Sequence, residues 1–184
     1  MLALVDLLDR VVSFFGKLGA WCALLLVIVV VYDVITRYAG VPKPFGLNST
    51  QIQESEYWLH AILFSLMIGY AYLRQAHVRI DLVRERLQLR SKFILEMFGC
   101  VVFLLPYSII GIYYTSLYVH ASYLENEISK SVIGLSHIWI LKSFMPIMFL
   151  LLFLAGLAQL MKSLLGAMGK LPDDRISETL GGDL

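Results

Sequence analysis

Four stretches free of Asp, Glu, Lys and Arg dominate this chain: Leu18–Tyr32, Tyr57–Leu73, Met97–Leu124 and Ser143–Met161. A bilayer core of ~30 Å takes about 20 helical residues, and lipid offers backbone N–H and C=O groups no partners, so each stretch with its flanks has to be a helix. Only 16% of the 184 residues are charged and 59% are apolar, which leaves too little polar surface to clothe a water-soluble domain. With 15 Lys+Arg against 14 Asp+Glu there is no cationic excess of the kind nucleic-acid binding needs. The expected fold is an all-α integral membrane protein, one membrane domain over residues 18–168 with four transmembrane helices at about 18–38, 56–75, 93–123 and 138–165.

The first window reaches spanning length only if Asp33 is tolerated near its end. Asp33 and Arg37 stand four apart with the acid first, the favoured order for a helical side-chain pair. They form either an interfacial ion pair or a contact to a neighbouring helix. Pro106 inside the third window predicts a kinked or strongly tilted helix, and Pro146 near the start of the fourth is a milder case. Ahead of the first span, Leu4, Leu7, Leu8, Val11 and Phe15 share one helical face, so residues 1–17 are expected as an N-terminal amphipathic helix lying in the interface. A secretory signal is the competing reading, but the apolar run ends in Asp33-Val-Ile-Thr-Arg37 without a small-residue cleavage pattern, and the segment is expected to remain uncleaved. The polar tail, 169–184, shows no periodicity and is expected to be disordered. Cys22 and Cys100 both fall in apolar runs and read as small buried hydrophobes.

Orientation follows from the basic residues. Of the 15 Lys and Arg, only Arg37, Lys43, Lys130 and Lys142 fall on the side opposite the termini, which puts both termini in the cytoplasm. Trp21, Trp58 and Trp139 sit near span ends, where indole rings prefer the headgroup level. The segment from Arg74 to Lys92, with Ile80, Leu82, Val83, Leu87 and Leu89 as anchors, reads as a basic stretch along the inner surface or as a solvated loop.

No window carries a charged residue at its centre, so the chain lacks the buried acid or base that marks an ion path. It also lacks the motifs of hydrolytic or metal chemistry, and the expectation is a non-enzyme with no catalytic residue, cofactor or metal. Glu54 and Glu56 open the second span, where acids complement unpaired N–H groups and the helix dipole; a subunit contact is the other reading. His60 and His120 fall a few residues inside the outer ends of spans two and three. Two such histidines fit hydrogen bonding between helices, or, as the rival, axial ligation in a haem b anchor of a quinone-linked oxidoreductase.

Two longer motifs add to this. One runs Gln53-Glu54-Ser-Glu56-Tyr-Trp58-Leu-His60 and then Gly69-Tyr-Ala-Tyr-Leu-Arg74-Gln-Ala-His77-Val-Arg79-Ile-Asp81. The other runs Ser122-Tyr-Leu-Glu125-Asn-Glu127-Ile-Ser129, then Gly134-Leu135, Trp139, Lys142 and Pro146, with Arg37-Tyr38 closing span one. Together they resemble the small membrane subunit (DctQ-type) of tripartite ATP-independent periplasmic (TRAP) transporters over roughly 37–165. The resemblance implies a fixed scaffold in the bacterial inner membrane. Its partners are then the lipid bilayer, a large elevator-type DctM-type subunit that carries substrate and sodium, and a periplasmic DctP-type solute-binding protein that delivers an organic acid or related carboxylate. It further implies that Arg74, His77, Arg79 and Asp81 hold the inner loop or contact the large subunit. Glu54, Glu56, Glu125, Glu127 and Lys130 then stand on the periplasmic rim where the binding protein docks.

Overall fold

The computed structural model describes residues 1–40, 48–76, 86–131 and 133–181, and every regular element among them is helical. The elements are α1 (Leu2–Tyr38), α2 (Ser49–Leu73), α3 (Leu89–Gly99), a π-helical turn (Cys100–Leu104), α4 (Leu105–Leu124), α5 (Ile138–Lys142), α6 (Phe144–Ala167) and α7 (Asp174–Leu180). Three helical runs are long and apolar enough to cross a bilayer: Leu2–Tyr38, Leu89–Leu124 and Ile138–Ala167. The 25 residues of α2 reach about 37 Å at 1.5 Å each, so length is not what sets it apart. Its first turns carry Gln51, Gln53, Glu54 and Glu56, and these lower its hydropathy. A capping box starts it, with Asn48 Oδ1 accepting from Gln51 N–H at 2.8 Å and Gln51 Oε1 accepting from Asn48 N–H at 3.3 Å.

The first helix departs from expectation. It runs unbroken from Leu2 to Tyr38, with no separation at residue 17 into an interfacial helix and a span. Packing explains the continuity. Val5, Val12, Gly16 and Gly19 line a buried stripe, while Leu4 and Leu7 of the expected apolar face are 46% and 56% exposed. Val12 joins Leu73, Ala155 and Ala158 in one core cluster. A Cβ on Gly16 would lie 2.6 Å from Tyr70 Cβ, so glycine there lets α1 and α2 approach closely. The same holds where α2 meets α6, since a Cβ on Gly69 would come within 2.9 Å of the Leu151 carbonyl oxygen.

Pro106 takes effect upstream of itself. Proline removes one N–H and crowds the carbonyl four residues back, and the helix answers by widening into the π-helical turn at Cys100–Leu104. Cys100 is buried there with its Sγ 3.4 Å from the Tyr72 hydroxyl, whereas Cys22 is only half-buried. Pro146 lies inside the first turn of α6, directly after the Ser143 junction with α5.

The tail is also different from its expected disorder, for residues 174–180 form α7. Gly169, at φ +68°, closes α6: its N–H reaches Gly166 O at 3.0 Å, and Lys170 N–H reaches Leu165 O at 2.9 Å. The reversal lays Leu171 and Leu180 against Phe93 and Leu165 in a second buried cluster. Residues 182–184 lie outside the described residues.

Candidate functional site

Charged contacts gather at the two ends of the bundle. At the end opposite the termini, α4 stops at a left-handed Asn126 (φ +46°), with Asn126 N–H bonded to Tyr123 O and Glu127 N–H to Ser122 O. The loop that follows folds over the start of α2. Glu54 is 5% exposed, and its two carboxylate oxygens accept from the Ser129 hydroxyl and the Leu135 N–H. Gly134 packs so closely on this carboxylate that a Cβ would collide with it and with Ser129 Oγ. Asn48 Nδ2 donates to Ile133 O at 3.0 Å, so the cap of α2 and its first buried acid both serve the same loop.

Glu127 ties the loop to the other side. It accepts from Lys142 Nζ and, at 2.6 Å, from Ser122 Oγ, and Lys142 also sits 3.9 Å over the Tyr118 ring. The Lys142 hydrogen bond, and then that of Ser122, hold the Glu127 carboxyl below its ordinary range. A lowered folded pKa stabilises the fold above the usual carboxylate range, and the benefit fades as pH falls through the folded value. Protection of the Ile138 N–H, which donates to Glu127 O at 3.2 Å, measured against the intrinsic exchange rate at each pH, should therefore hold at neutral pH and fall once the pH drops below the ordinary carboxylate range. Glu127→Gln should remove that acid step; an unchanged profile in the variant would contradict the assignment.

The remaining rim residues differ in kind. Glu125 and Lys130 are exposed, as are Ile128 at 67% and Ile133 at 55%, whereas Glu56 is half-buried at the α1–α2 groove beside Gln53 and His60. Asp33 is 2% exposed and pairs with Arg37, against which the Gln53 amide of α2 also stands. The ion pair thus has a neighbouring helix beside it as well. His60 and His120 are both exposed, His60 on α2, which packs chiefly on α1, and His120 on α4, which packs chiefly on α6; the His60 ring meets Phe64 edge-on at 4.7 Å. The haem reading has no support in this arrangement. Of the inner-loop set, Arg74 is exposed at the end of α2, with its guanidinium 5.4 Å over the Tyr70 ring; His77, Arg79 and Asp81 lie outside the described residues.

At the terminus-bearing end stands a second cluster, whose partners are far apart in the sequence. Lys162, 4% exposed, pairs with Asp9 at 2.7 Å, and Arg175 of α7 pairs with Asp6 at 2.7 Å. Gln75 and the buried Gln159 both donate to Thr179 O, at 2.8 and 2.7 Å. The available signal was Gln159, Lys162 and Ser163 on the face of α6 that also carries Ala155 and Ala158.

A bundle with three membrane-capable helices and its charged contacts at its ends is that of a polytopic α-helical membrane protein. The family model for the DctQ component of tripartite ATP-independent periplasmic transporters matches residues 26–166, and the chain belongs to that family. It is thus a component of a bacterial transporter. No match was found among curated proteins or among solved structures. The matched span ends at α6, so α7 and the first 25 residues stand outside it.

Proposed function

We propose that this chain is the non-catalytic scaffold subunit of a sodium-coupled, binding-protein-dependent importer of organic acids or related carboxylates in the bacterial inner membrane. It crosses four times, with α2 as the second span beside the three longer apolar runs and both termini cytoplasmic, packs against the large elevator-type subunit, and helps dock the periplasmic solute-binding protein. Family membership supports the transporter, and the observation that carries the scaffold role is Glu54. An acid at the head of a helix is spent wholly within the chain, bonded to Ser129 and Leu135, and so fixes a loop rather than meeting a solute. The docking surface in this reading is the exposed part of that loop, Glu125 and Lys130 with Ile128 and Ile133, while Glu54 and Glu127 hold its shape. Glu56 lies at its margin. On the inner side Arg74, His77, Arg79 and Asp81 hold the loop against the membrane or the large subunit.

Affinity purification from native membranes tests this. A many-span membrane partner and a periplasmic solute-binding protein should copurify. Redox subunits with a Soret band at stoichiometric haem would contradict it.

A further inference from the structure

Arg10, Phe14, Lys17 and Trp21 follow one another along α1 at steps of four, three and four residues, which places them on one helical face. All four are exposed, Phe14 at 59% and Trp21 at 65%. The stripe borders an open cavity of about 540 Å³ lined by Asp6, Arg10, Ser13, Phe14, Lys17 and Arg74, among others. Its acids each hold a cation at 2.7 Å, Asp6 that of Arg175 and Asp9, through Oδ2, that of Lys162. Among the described residues Arg10, Lys17 and Arg74 have no carboxylate partner. Arg74 is held at the mouth by stacking over Tyr70. A deeper cavity of about 450 Å³ shares Asp9, Ser13 and Arg74 and is where Glu178 stands, so the cationic part is the outer one.

Three uncompensated cations and a hydroxyl beside two outward aromatic rings, on a helix entering the membrane, match the two halves of a lipid. The charges suit a phosphodiester, and the rings suit the glycerol and first methylenes at headgroup level. We propose that this cavity binds the headgroup of an acidic phospholipid, with Arg10, Lys17, Arg74 and Ser13 on the phosphate and with Phe14 and Trp21 flanking its acyl chains. This needs α1 to cross the bilayer and does not depend on the scaffold role. A bound lipid there would bridge the first half of α1 and the end of α2 through cations that Asp6 and Asp9 do not engage.

Native mass spectrometry of the purified protein in detergent, titrated with phosphatidylglycerol, phosphatidylethanolamine or inorganic phosphate, tests it. Phosphatidylglycerol should bind at least about 10-fold more tightly than phosphatidylethanolamine, because each basic side chain near an anionic lipid counts for a factor of several. The triple variant Arg10→Gln, Lys17→Gln, Arg74→Gln should lose that preference. The control Arg86→Gln, Arg90→Gln, Lys170→Gln removes the same charge from exposed positions elsewhere at this end and should keep it. Equal affinity for the two lipids in the unaltered protein would overturn the proposal, and needs no variant to fold. So would equal loss in both triple variants, which would mark diffuse surface charge, or displacement of the lipid by millimolar phosphate, which would mark a soluble-anion site.

Discussion

Glu54→Ala should free the loop between α4 and α5 while leaving the helices in place. Its carboxylate takes the Ser129 hydroxyl and the Leu135 N–H in a site only 5% exposed, and the substitution orphans both donors beside a backbone that Gly134 has already brought into contact. Hydrogen bonds to a charged acceptor contribute about 1.5–3 kcal/mol each, so local ordering should weaken by on the order of 3 kcal/mol. That is about a 100-fold rise in the exchange rate of the Leu135 amide, at 1.4 kcal/mol per tenfold. Glu54→Gln keeps one acceptor oxygen and should fall between. Uptake by the assembled transporter should drop with loop order, Ala below Gln. Native exchange at Leu135 in Glu54→Ala would show that the carboxylate does not hold the loop.

The second large effect lies at the other end. Lys162 has a side chain 6% exposed and Asp9 one 30% exposed, so the members of this pair are not equivalent. Removing the acid strands an ammonium on a nearly buried side chain, which costs about 3–5 kcal/mol in buried pairs; removing the base leaves the carboxylate of a side chain that is 30% exposed, although its Oδ1 is buried. Asp9→Ala should therefore destabilise far more than Lys162→Met. The double variant Asp9→Leu, Lys162→Met should recover most of the loss, since an apolar pair of similar volume avoids the desolvation cost. Thermal unfolding in detergent reads all three. Equal, small shifts for the two single variants would contradict the asymmetry.

What could be read from the chain depended on how local the cause was. The membrane forbids charges over long stretches, so the four charge-free windows lie within the helical runs of α1, α2, α3–α4 and α5–α6. Asp33 and Arg37 are four residues apart on one helix, and their pairing was legible for that reason. Glu54 was legible only in part. Its place at the head of α2 shows in the sequence, but its partners Ser129 and Leu135 lie 75 and 81 residues away. The continuity of the first helix past residue 17 is hidden in the sequence, where Leu4 and Leu7 make a plausible lipid-facing stripe. The burial of Val12 depends on small residues of α6, Ala155 and Ala158, that no periodicity connects to it. For α7 the cause is the Gly169 reversal and the Phe93 surface it meets, neither visible in a short polar segment.

Reconstitution into liposomes, with a sodium gradient and labelled carboxylate solute, tests the scaffold role most directly. The chain alone should accumulate nothing. Adding the large membrane subunit and the solute-binding protein should give sodium-dependent uptake, and leaving this chain out should abolish it. Uptake by this chain alone, or full uptake without it, would contradict the role.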